Sequence, residues 1–223
     1  MTLDASGVWV ADSRRTLLEP TTVGLAAGDI VVVYGDPGHR HPLLALALGG
    51  RFVLGGGEVL ADGDARPQTL HRKVALVDVP GVSDPDDVAP LTTVVAEELA
   101  MAGRPARKRH VEDWLTAHGL WVHREARMED LPAGARTLAL ARLAAQRPGV
   151  EFLVLALPER WGVDPEGWLA TAQGLADEGY GVLATTSVGV ARHVEQQAPE
   201  ETTGIRVVPF GNAAFSAEDE ETT

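Results

Sequence analysis

Apolar and polar positions along this chain fall into short blocks with two different periods. Leu3 to Val10 alternates well enough for a strand, and Leu17 to Leu25 allows another. Ile30-Val31-Val32-Val33-Tyr34 is a continuous apolar, β-branched run between glycines, the mark of a buried strand. A Gly/Pro loop follows, Gly35-Asp36-Pro37-Gly38-His39-Arg40-His41. Pro42 to Leu48 then reads as a helix with proline in its first position and Gly49-Gly50 at its end. Glu58-Val59-Leu60 predicts a strand closing in an Asp62-Gly63 turn, and Val74 to Val77 predicts a core strand before a loop at 80–87. From Leu91 to about Arg142 the pattern is mostly helical, broken near Gly103-Arg104-Pro105 and at Gly119. Phe152 to Leu157 reads as a central strand, Glu166 to Glu178 as a helix ended by Gly179, and Gly181 to Thr186 as a further strand. Apolar strands alternating with amphipathic helices imply an α/β fold with a largely parallel sheet.

Charge and composition narrow the function. With 32 acidic and 19 basic residues the formal net charge is −13, which argues against a nucleic-acid binder and against broad docking on an anionic leaflet. Cysteine is absent, so disulfides and thiolate metal sites are excluded. No apolar run approaches the ~20 residues that span a bilayer, and the N-terminus has no signal-peptide shape. The expectation is a cytoplasmic protein with no direct membrane insertion. Abundant alanine, and arginine far above lysine, point to a GC-rich bacterial genome. Of the 19 basic residues 17 are Arg; Lys73 and Lys108 are the two lysines. Chemistry that demands a lysine at a fixed place must use one of these.

A strand, a glycine-led loop and a helix make the generic phosphate cradle, with backbone N–H groups and the helix N-terminus facing the anion. The full motif is G-x-x-x-x-G-K-[ST]. Here Gly35 and Gly38 fit its start, but Arg40 holds the second glycine position, His41 the lysine and Pro42 the hydroxyl. Gly28-Asp29-Ile30 before the loop, and Gly57-Glu58-Val59-Leu60 with Asp62-Gly63 after it, resemble the opening of an ABC-transporter ATP-binding subunit. Val95-Ala96-Glu97-Glu98-Leu99 resembles that family's V-x-E-x-L segment. Leu131-Pro132-Ala133-Gly134-Ala135 is placed like its L-S-G-G-Q signature, with Arg136 and 138–142 like the helix that follows. Leu153 to Pro158 resembles the Walker B strand, Gly162-Val163-Asp164 the D-loop, and 182–187 the strand ending in the switch histidine. The resemblance covers nearly the whole chain, in order.

That resemblance implies a P-loop NTPase-like core with a mostly parallel sheet, an N-terminal antiparallel β subdomain and a small inserted helical subdomain at about 88–135. It places these in one domain, 1–215, before an acidic disordered tail, 216–223. It also shows what is missing. The Walker B Asp slot is Ala156, the adjacent Glu slot Leu157 and the switch-histidine slot Ser187; the signature Ser and Gln slots are Pro132 and Ala135. The Q-loop slot falls near Val79-Pro80 and the adenine-stacking aromatic near Asp12. No acid stands between Glu151 and Glu159. Charge stabilisation is nearly the whole of phosphoryl-transfer catalysis, so the expected function is a pseudo-ATPase with no catalytic residues and no metal or cofactor. It would serve as a structural or regulatory partner of a transmembrane permease, of a second ABC ATPase subunit, or of both, as a monomer or a dimer at the cytoplasmic face.

Two alternatives stay open at this point. One is a nucleotide-binding or weakly active subunit with an unconventional site, in which Arg40 and protonated histidines supply the cations for ATP and Mg²⁺. The other is a free-standing module that uses the cleft for a different ligand. Arg40 between His39 and His41 reads either as an anion site favoured at low pH or as a polar surface loop. Trp9 reads as core or base-stacking, Trp161 as a candidate interface residue, and Trp114 and Trp121 as packing inside the helical subdomain. The basic run Arg104, Arg107, Lys108, Arg109 reads as a solvated helix face or a docking patch.

Overall fold

The computed structural model describes residues 1–162, 165–197 and 204–214. Two sheets organise it. β1 (Thr2–Ala11), β2 (Thr16–Ala26) and β4 (Gly56–Ala61) form an antiparallel sheet in the order β2-β1-β4. β3 (Ile30–Gly35), β5 (Val74–Val77), β6 (Phe152–Ala156), β7 (Gly181–Ser187) and β8 (Ile205–Pro209) form a parallel sheet in the order β5-β6-β7-β3-β8. Crossing from one parallel strand to the next needs a long connection. α1 (Arg40–Leu48), α5 (Ala133–Ala144), α6 (Pro165–Asp177) and α7 (Val188–Gln197) supply helices on those connections.

The period of two decides which side chain serves which layer. On β3, Ile30 and Val32 join the cluster beneath α5 and α6, whereas Val31 and Val33 join the cluster shared with α1 and the antiparallel sheet. Leu153 and Leu155 of β6 face the first cluster, Phe152 and Val154 the second. A sheet buried on both faces reads as unbroken apolar runs, as the sequence of these strands does. The inserted helical lobe lies between β5 and α5. It consists of α3 (Leu91–Met101), α4 (Lys108–Ala117) and two short 3-10 turns at 121–123 and 128–130. α3 ends before Gly103 and α4 before Gly119, the two breaks visible in the pattern.

Several expectations are corrected. α1 begins at Arg40, so Pro42 is its third residue; the N–H that proline lacks is among the four that no helix bonds internally, so the position tolerates it. β6 stops at Ala156, because Leu157 takes a left-handed conformation (φ 51°). α2 (Pro67–Lys73), α7 and β8 have no counterpart in the pattern reading. Trp121 is 39% exposed, with the Arg124 guanidinium 4.6 Å from its ring centre, so it lines the lobe surface instead of packing inside; Trp114 is buried. Trp9 is a core residue: a Cβ on Gly55 would lie 2.4 Å from its ring, so that contact requires glycine.

The lysines stand away from the glycine loop. Lys73, the last residue of α2 just before β5 and thus at the opposite end of the strands, pairs with Asp62 and with Glu151 at 2.8 Å. Lys108 is exposed on α4. Val163, Asp164 and the acidic tail at 216–223 lie outside the described residues.

Candidate functional site

In open α/β sheets ligands gather at the C-terminal ends of the strands. Here those ends bring together most of the motif positions. Gly35 lies opposite Ser187 in the β3–β7 pairing, and Ala156 opposite Thr185 in the β6–β7 pairing. The loop Gly35–Pro42, Ala156, Leu157 and Ser187 therefore share one edge. The signature-like segment is elsewhere. Leu131 is buried, Pro132 precedes α5, and Ala133, Gly134 and Ala135 form its first turn without a side-chain cap. Gly162 closes the turn at 158–161 in a left-handed conformation (φ 80°).

The glycine loop keeps the outline of a phosphate cradle but turns its chemistry inward. α1 has no capping side chain and no acid in its first turn. His41 is fully buried. Its Nε2–H donates to the Asp36 carbonyl at 3.1 Å; a carbonyl can only accept, so Nδ1 is the acceptor, and it has no partner among the described residues. Phe210 meets the imidazole edge-on, with ring centres 5.1 Å apart, and also covers Gly35, where a Cβ would lie 2.9 Å from the phenyl ring. Burial holds the imidazole below its usual value of 6.5, with the Asp36 hydrogen bond and the Glu159 charge opposing. His41 is thus a neutral core residue, neither a loop residue on the surface nor a cation near pH 7. Arg40 directs its guanidinium to Glu19 of β2, 3.2 Å away. His39 is exposed and Pro42 half-buried.

The ends of β5 and β6 carry a different arrangement. Both strands finish on a non-glycine residue in the left-handed region, Asp78 and Leu157, each with φ 51°. Such backbone persists where surrounding contacts hold it, and Asp78 is held from three directions. Arg136 donates to it through Nε (3.1 Å) and Nη2 (3.0 Å), the Trp161 indole N–H donates at 2.9 Å, and Arg160 approaches to 3.0 Å while also bonding the Asp78 carbonyl. Arg136, 1% exposed, further donates to the Met128 carbonyl (3.1 Å) and Asp87 (3.3 Å) and lies 3.9 Å above the Trp161 ring. Trp161 is thereby engaged within its own chain. Beside this cluster, Glu159 accepts hydrogen bonds from the Thr186 hydroxyl (2.6 Å) and the Ser187 backbone N–H (2.8 Å).

These side chains do not match the donors that a Mg²⁺–triphosphate needs, which are a lysine, a hydroxyl and a carboxylate at the strand end. By the motif spacing of the sequence, the lysine would fall on His41, here a buried neutral imidazole, the hydroxyl on Pro42 and the carboxylates on Ala156 and Leu157. An open depression of about 320 Å³ does lie beside the loop, lined by Asp12, Arg15, His39, Pro42, Leu43 and Pro80 among others. Asp12 accepts the backbone N–H groups of Arg14 and Arg15 and so forms its own turn.

Asp78, Glu159 and Arg160 were not singled out by motif spacing. One signal for Asp78 is present: an acid directly after four buried apolar residues ends a core strand, and a carboxylate there needs a partner.

No protein-family model and no curated protein sequence matches the chain. Solved structures do resemble it. A structure of an ABC transporter's ATP-binding subunit superposes with TM-score 0.66 at 15% identity, over 100% of this chain and 92% of that one. A putative ABC transporter ATP-binding protein from Pyrococcus furiosus gives 0.63 at 15%, over 84% and 92%. A nucleotide-free ATP-binding cassette from an ABC transporter gives 0.66 at 12%, over 100% and 94%. The chain has the fold of ABC-transporter ATP-binding subunits.

Proposed function

We propose that this chain is a pseudo-ATPase with a structural or regulatory role in a membrane-transport complex. One observation carries the reading: the edge of the sheet where this fold presents catalytic side chains is occupied by the chain's own ion cluster, Asp78 with Arg136 and Arg160, and by Glu159 turned onto β7. Its partners would be a transmembrane permease, a second ABC ATPase subunit, or both, which would put it at the cytoplasmic face of a membrane. Among the described residues no helix is long and apolar enough to cross one. The helical lobe is the docking candidate. Two clefts flank α3, of about 510 and 590 Å³, and share Thr93 and Glu97 on its ridge; Met101, Val82 and Trp121 add exposed apolar surface around them.

The depression beside the loop supports a second reading, a nucleotide site of unconventional design. It would draw its cations from Arg40 and the histidines. The pairing of Arg40 with Glu19 and the burial of His41 weigh against that. Calorimetric titration with Mg·ATP separates the two. The proposal expects no magnesium-dependent heat, and a saturable, magnesium-dependent heat would favour the second reading.

A further inference from the structure

The helical lobe shares one apolar cluster with the sheet: Leu91, Val95, Leu115 and Met128 of the lobe pack with Ile30, Leu153 and Leu155 of the strands. Apolar burial is non-directional, so it sets the contact between lobe and sheet without specifying an angle through any one bond. Directional bonds across the two connections that enter and leave the lobe, near 78–90 and 127–132, constrain its angle. These connections are paired with each other, Met128 N–H to the Ala89 carbonyl and Glu129 N–H to the Asp87 carbonyl, each 3.0 Å. Arg136 then fastens both to the sheet. It grips Asp78 at the end of β5, Asp87 on the entering connection and the Met128 carbonyl on the leaving one. A planar guanidinium bonded along several directions fixes angle as well as distance, and Trp161 closes its open face. A second tie, Arg147 to Glu98 at 2.7 Å, holds the far half of α3.

We infer that the Arg136 clamp locks the helical lobe in one orientation against the sheet, so that the α3 face is presented in the same way whether or not nucleotide is present. What docks on that face rests on the function proposed above; the lock itself does not. A subunit built like this would act as a fixed bracket, with no stroke of its own to drive a partner.

The absence of cysteine allows a clean test on the whole chain. Spin labels at Glu58→Cys on the antiparallel sheet and Ala117→Cys on α4, both exposed positions, report the sheet-to-lobe distance by pulsed electron resonance. The expected result is one narrow distance, unshifted by Mg·ATP, that broadens on Arg136→Met. Asp87→Ala removes only a half-exposed leg of the clamp and leaves the buried pair intact, so it covers the case in which Arg136→Met does not fold; it too should broaden the distribution. Two populations in the otherwise unaltered chain, a shift with Mg·ATP, or distances as narrow in both variants as without them would overturn the inference. Hydrolysis measured on the same protein is a separate readout, so failure of the lock and failure of the pseudo-ATPase reading are distinguishable.

Discussion

The two halves of the sheet edge dispose of the same kind of position in opposite ways. At β3–α1 the loop keeps its glycines and helix, but the His41 side chain is drawn into an apolar layer, neutral and with one nitrogen unpartnered among the described residues. At β5–β6 the polar groups are charged, buried and nearly all bonded to one another. The first half removes charge, and the second neutralises it in place. A buried ionisable group costs less when it is held uncharged, as at His41, or paired with an opposite charge, as at Asp78 and Arg136.

The difference between the two halves rests most heavily on Asp78. Asp78→Ala leaves the Arg136 charge buried without its main partner, and urea unfolding should show a loss of about 3–5 kcal/mol. A loss below ~1 kcal/mol would mean the cluster is not held as described. Adding Arg136→Met removes the second charge with an apolar chain of comparable length. The double variant should regain much of the loss, with a coupling of about 1–3 kcal/mol in a double-mutant cycle. Additive effects would show the pair to be energetically independent.

The loop half should respond in the other direction. His41→Leu removes an unpartnered buried nitrogen and frees the Asp36 carbonyl, which sits on an exposed residue, so stability should change by less than about 1 kcal/mol or rise. A loss above ~2 kcal/mol would assign the imidazole a role that the geometry does not show. pH sharpens this. His41 is depressed by burial in the folded chain, so both states are neutral above the usual value of 6.5 and stability is unaffected there. As pH falls below 6.5 the unfolded chain takes up a proton that the folded chain refuses, and stability drops until the folded value is reached. Melting curves between pH 7 and 5 should show that slope, reduced in His41→Leu; an unchanged slope would place the titration elsewhere. The smallest effect belongs to Glu19→Ala. The Arg40–Glu19 pair is partly exposed and should contribute about 0–1 kcal/mol, screened by salt.

How much of this was legible in the sequence follows the same divide. β3, the glycine loop and α1 are contiguous, so local period and glycine placement revealed them. Only the helix start shifted, from Pro42 to Arg40, because proline suits several positions in a first turn. The clamp joins residues far apart in the chain: 58 positions separate Asp78 from Arg136 and 83 separate it from Trp161. No local pattern encodes that meeting. α7 opens Val188-Gly189-Val190, weak helix formers that mask its start, and β8 is a half-buried edge strand whose Arg206 interrupts the apolar run to reach Asp29 and the Gly24 carbonyl. The burial of His41 was also hidden, since a His-Arg-His triplet in a Gly/Pro loop reads as polar surface.

An ABC-type fold whose strand-end edge is filled by its own side chains should not hydrolyse ATP. Phosphate release from ATP by the purified chain, in saturating Mg²⁺, tests it most directly. The expected rate is indistinguishable from that of buffer and unchanged by His41→Leu or Asp78→Ala. Steady turnover that follows the protein through purification, and falls when Glu159 or Arg160 is replaced by alanine, would contradict it.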